Sequence, residues 1–114
     1  MGLVLASILV AVPFPVLAQD ARLVADARCM VVYTVVGQQK EHEAVGMLGA
    51  VYFYGKVIGY GGQLQLEEEL LRQIPRMGPD ELRTESVRCG QEMVKQGEAL
   101  SLIGSRIKSH AGEY

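Results

Sequence analysis

Cys29 and Cys89 lie 60 positions apart, and nothing else constrains the chain as strongly, because joining them would bring two distant segments together. An even cysteine count in an exported chain reads as a disulfide. Only one pairing within the chain exists. The alternatives are two free buried thiols or a bridge between chains. A bridge closing a loop of roughly 60 residues stabilises by about 4 kcal/mol on the chain-entropy model.

The export argument comes from the order of residues at the N-terminus. Leu3 to Val12 is an uncharged apolar run, broken by Pro13 and Pro15. Val16-Leu17-Ala18 then places small residues where a signal peptidase needs them, with Gln19-Asp20 opening the mature chain. No Lys or Arg precedes the run. The rival is an uncleaved anchor helix, for which the run is short. Residues 1–18 are therefore expected to be a signal peptide, residues 19–109 a helical domain and residues 110–114 a tail, in a periplasmic or secreted protein. A domain of this size has a thin core that a crosslink supports. The net charge is −2, with 11 basic and 13 acidic side chains. The basic residues are scattered, which argues against a nucleic-acid partner.

Four helical segments are expected. The first runs from Asp20, a capping residue, to Gly37, which can end it in the left-handed conformation. Leu23, Ala27, Met30, Val31 and Thr34 share one face of it. Residues 30–36 are rich in β-branched side chains, so a strand competes there. The second runs from Glu41 to Tyr60. From Ala44 onward its only charge is Lys56, and a helix apolar on nearly all sides must be buried. Its rivals are a hairpin turning at Gly55-Lys56 and a membrane span over residues 44–66, which contains the Gly55-x-x-x-Gly59 spacing. The third is a short amphipathic helix of Leu64, Leu66, Leu70, Leu71 and Ile74, with Glu67, Glu68 and Glu69 facing water, ending before Pro75. The fourth opens at Gly78-Pro79-Asp80-Glu81. It carries a seam of Leu82, Ser86, Cys89, Met93, Gln96, Leu100, Ile103 and Ile107, with a bend expected at Gly97.

Catalytic and metal patterns fail on spacing. Glu41-His42-Glu43 has no second cluster to complete a metal site, and Gly46 stands where a zinc protease needs its second histidine. The Gly49–Lys56 stretch is a residue too long for a phosphate loop, and Val57 replaces its hydroxyl. No G-x-S-x-G surrounds a serine, and no C-x-x-C is present. No catalytic residue, metal site or cofactor is therefore assigned. Tyr33, Tyr52, Tyr54 and Tyr60 are the unusual enrichment, and suit either a binding groove or core packing. Met30, Met47, Met77 and Met93 offer the same choice. The expected binding surface is Tyr52, Phe53, Tyr54, Gly55, Gly59 and Tyr60.

Arg28-Cys29-Met30, the Phe53–Gly59 tyrosine-glycine stretch and Arg88-Cys89-Gly90 carry a resemblance. The chain resembles the small two-cysteine helical periplasmic proteins of the HdeA type and uncharacterised exported bacterial proteins of similar layout. It departs from the HdeA type in having fewer lysines and a more glycine-rich central helix. The resemblance implies a helical fold around one disulfide, and a dimer that opens at low pH to hold unfolded clients. It supplies no catalytic residues.

The fold expected is an all-α four-helix bundle, with Cys29–Cys89 joining the first helix to the last. The expected function is a non-catalytic, exported protein that binds protein partners or unfolded clients, with protection against acid stress, as a monomer or a homodimer. One alternative is a membrane-embedded or membrane-docked protein using residues 44–60. Another is an immunity- or inhibitor-type binding module.

Overall fold

In a computed structural model, which describes residues 16–112 with Gly2 and Val4, and side chains from 21 onward besides those two, the chain forms four α-helices. They are α1 (Val16–Gly37), α2 (Glu43–Gly59), α3 (Gln63–Gln73) and α4 (Pro79–Ala111), with single 3-10 turns at Lys40–His42 and Ile74–Arg76. The expected signal segment lies outside the described residues except for Gly2, Val4 and residues 16–18. Val16-Leu17-Ala18 belongs to the first turn of α1, so Asp20 sits inside that helix and does not cap it.

The β-branched run of residues 30–36 is helical. Cys29, Val32 and Tyr33 recur at helical spacing and are all buried, so tertiary burial overrides strand propensity. The predicted face is partly displaced: Leu23 and Ala27 are buried, Met30 and Val31 half-buried, and Thr34 exposed. Gly37 ends α1 without a left-handed backbone, since positive φ among the described residues occurs only at Gly61 and Gly112. Its role is close approach. Gly37 faces Gly46 where α1 crosses α2, and a Cβ on Gly46 would collide with the Gly37 backbone and the Tyr33 carbonyl. A Cβ on Gly49 would collide with the Tyr33 ring.

α2 is one uninterrupted helix, which removes the hairpin reading. No helix among the described residues is long and apolar enough to cross a membrane. The expected all-round burial of α2 is wrong. Gly46, Gly49, Phe53 and Val57 form its buried stripe, while Val45, Met47, Leu48, Val51, Tyr54 and Ile58 are exposed. Its neighbours cover only part of its circumference.

The core has two parts. Cys29, Val32, Tyr33, Phe53, Met77 and Cys89 form one, and Leu23, Ala27, Val57 and Leu66 the other. The Tyr33 and Phe53 rings stack at 5.9 Å, and Tyr52 meets Phe53 edge-on at 4.8 Å. The Cys29–Cys89 disulfide, with its Cα atoms 5.6 Å apart, joins α1 to α4. In α3, Leu66 is buried and Leu70 half-buried, but Leu64 and Leu71, and Ile74 in the turn that follows, are exposed. Glu69, expected to face water, is buried, accepting a 2.8 Å hydrogen bond from Gln73 and pairing with Arg72 at 3.3 Å.

The seam predicted in α4 is used only in its first half. Cys89 is buried, Leu82 and Met93 are half-buried, and Ser86, Gln96, Leu100, Ile103 and Ile107 are exposed. The helix continues through Gly90, Gly97 and Gly104. Two things explain the discrepancy. At 1.5 Å per residue the 33 residues of α4 reach about 50 Å, roughly twice the 17 residues of α2, so its end outruns α2. Before that, Leu100 and Ile103 stand off from α2 across an open groove.

Candidate functional site

Lys56, the one charge within the apolar stretch of α2, is the centre of a polar link between three helices. Its Nζ donates to Asp26 Oδ1 of α1 at 2.9 Å and to Glu92 Oε2 of α4 at 2.8 Å. Asp26 is only 2% exposed, and its second oxygen accepts from the Tyr60 hydroxyl at 2.9 Å. The Arg22 guanidinium lies 4.6 Å from the centre of the Tyr60 ring. The cluster has resolvable electrostatic consequences. Burial works against the Lys56 ammonium, but hydrogen bonds to Glu92 and Asp26 and their charges outweigh it, so its pKa lies above the ordinary value. Burial, and then the hydrogen bond to Asp26 and its charge, push the Tyr60 phenol well upward against the opposing charge of Arg22. Burial and contact with Glu92 raise Tyr52 as well.

A second polar layer surrounds the disulfide. Arg88 Nη2 donates to the Ala25 carbonyl at 3.0 Å and to Cys29 Sγ at 3.3 Å. Glu85 pairs with both Arg28 and Arg88. These contacts and the Lys56 link tether the first half of α4.

Beyond the link, α4 leaves α2. Leu48 and Tyr52 on one wall and Met93, Gly97, Leu100 and Ile103 on the other enclose an open apolar groove of about 430 Å³. Leu48 is 63% exposed and Leu100 68%, so the walls do not cover one another. The groove continues onto the uncovered face of α2.

The predicted binding residues fall on different sides of α2. Phe53 is fully buried and belongs to the core. Tyr52 lines the groove, Tyr60 is held by Asp26, and Tyr54, Gly55 and Gly59 are exposed. Tyr33 is core. Of the methionines, Met77 is buried, Met30 and Met93 are half-buried and Met47 is exposed. Sequence reasoning missed Asp26 and Glu92. The signal was present, because Asp26 lies three residues from both Leu23 and Cys29, and Glu92 three residues past Cys89, each close to an apolar stripe.

Glu41, His42 and Glu43 are all exposed. Among the described residues no group of three His, Cys, Asp or Glu side chains converges as a metal would require. Compared with known proteins, the chain matches no family model, no curated protein and no solved structure.

Proposed function

We propose that this is an exported, non-catalytic helical protein that binds unfolded client proteins on the free face of α2 and in the α2–α4 groove. The observation that carries the reading is the six large apolar side chains exposed on α2, continued by Leu100 and Ile103 on α4. Contiguous apolar surface of this kind marks interaction sites on small domains. The buried disulfide suits an oxidising compartment, and mass spectrometry of the exported chain should find it beginning at Gln19.

Acid enhances binding in this reading. Below about pH 3 most carboxylates are protonated, and the 11 Lys and Arg and two His leave only positive charge. Self-repulsion of that charge then favours opening. The disulfide keeps α4 attached to α1.

The test measures aggregation of acid-denatured alcohol dehydrogenase with the wild-type chain and with Leu48→Glu and Leu100→Glu, both at exposed positions. Protection by the wild type that either variant weakens supports the reading. Failure of the wild type to protect at neutral and acid pH ends it. Binding of both variants and wild type to anionic vesicles, without protection, would favour the membrane-docked alternative.

A further inference from the structure

A second cavity, of about 660 Å³, lies between α1, α3 and the Ile74–Arg76 turn, and shares no lining residue with the α2–α4 groove. Leu23 and Val24 of α1 give it an apolar wall, and Arg28, Arg72 and Arg76 give it three guanidiniums. Two of these are engaged. Arg72 pairs with Glu68 and the buried Glu69, and Arg28 shares Glu85 with Arg88. Arg76 pairs with no carboxylate among the described residues. Arg28 engages Glu85 through Nη1 at 3.2 Å, while its Nε is buried and meets no acceptor.

We propose that this cavity binds a small monocarboxylate with an aliphatic body. The charge count selects the anion. Counting the lining with its ion-pair partners, Arg28, Arg72, Arg76 and Arg88 stand against Glu68, Glu69 and Glu85, one positive charge in excess, and Arg76 lies outside both ion-pair groups. That balance matches one negative charge, and Glu68 and Glu69 repel a doubly charged phosphate. The volume lies within the range of small-molecule sites and exceeds what a bare oxyanion fills. Leu23 and Val24 take the aliphatic part, and the planar fork of Arg76 suits a carboxylate, with Arg28 adding positive charge to the lining.

The experiment titrates the oxidised chain with hexanoate, hexanol and inorganic phosphate, reading amide shifts by nuclear magnetic resonance. Hexanoate is expected to give saturable shifts around Leu23, Val24, Arg28 and Arg76, and hexanol and phosphate none. Arg76→Gln, at an exposed side chain, should weaken hexanoate by about tenfold or more, the worth of a hydrogen bond to a charged group. Val24→Phe fills the cavity at unchanged charge and should abolish binding with helix content retained; if it does not fold, Arg76→Gln decides alone. The assignment is overturned by absence of saturation with hexanoate, by equal binding of hexanol or phosphate, or by unchanged affinity in Arg76→Gln or a folded Val24→Phe.

Discussion

Lys56 and Asp26, 30 positions apart in sequence, meet at 2.9 Å across the α1–α2 interface, with the carboxylate 2% exposed and the lysine side chain about a third exposed. Removing the ammonium leaves Asp26 buried with the Tyr60 hydroxyl as its remaining close partner of the pair. Lys56→Met should therefore destabilise by about 2 kcal/mol, below the usual cost of breaking a fully buried pair because water screens the lysine. Urea unfolding of the oxidised chain measures it. No change in midpoint would mean that the three-helix link contributes nothing to stability.

The same cluster predicts alkaline sensitivity. Lys56 and Tyr60 both titrate above their ordinary values in the folded chain. A group whose folded pKa is raised holds its proton more tightly when folded. Its contribution is complete below the unfolded pKa, about 10 for both types, and is lost as pH rises through the folded value. The urea midpoint should fall above about pH 10, and Tyr60→Phe should remove part of that fall. A midpoint constant through that window would contradict the shifts.

The helices and the disulfide were legible because they rest on local signals: glycine and proline punctuation, spacing of apolar residues and a single cysteine pair. What covers each helix was not. The sequence of α2 reads as a buried helix, yet Val45, Leu48, Val51 and Ile58 lie in the open. Apolarity states a preference for burial, but the number of neighbouring helices sets how much is met. The last seam failed for a related reason. Leu100, Ile103 and Ile107 keep the period of Cys89 and Met93, and periodicity carries no information about how closely the partner helix packs or where it ends. Asp26 and Glu69 escaped because charged side chains read as solvated, and each owes its burial to partners that the fold brings close.

The disulfide is the covalent tether of α4 to α1. Replacing Cys29 and Cys89 with Ala should cost about 2–5 kcal/mol, the usual range for removing a native disulfide from a small domain. Because both sulfurs are fully buried, part of that cost is lost packing. Hydrogen exchange should show the Leu82–Met93 part of α4 losing protection before the α1–α2 crossing around Gly46. Uniform loss across all helices would mean that α4 does not move as a separate unit.

The glycines of α2 divide into two classes with opposite expected signs. In a helix interior, Gly→Ala ordinarily stabilises by about 0.5–1 kcal/mol, because alanine loses less backbone entropy. At Gly55 and Gly59 an added Cβ meets nothing within 4 Å, so Gly55→Ala should show that gain and Gly59→Ala, at the last residue of α2, a smaller one. At Gly46 the Cβ would strike the Gly37 backbone and the Tyr33 carbonyl, atoms of a packed helix that cannot rotate away. Gly46→Ala should therefore destabilise by about 1–3 kcal/mol, the usual cost of overpacking. At Gly49 the obstacle is the Tyr33 ring, itself stacked on Phe53, and the sign should be the same. Four single variants in one urea series decide it. A gain at Gly46 equal to that at Gly55 would show that α1 and α2 do not cross with their backbones in contact.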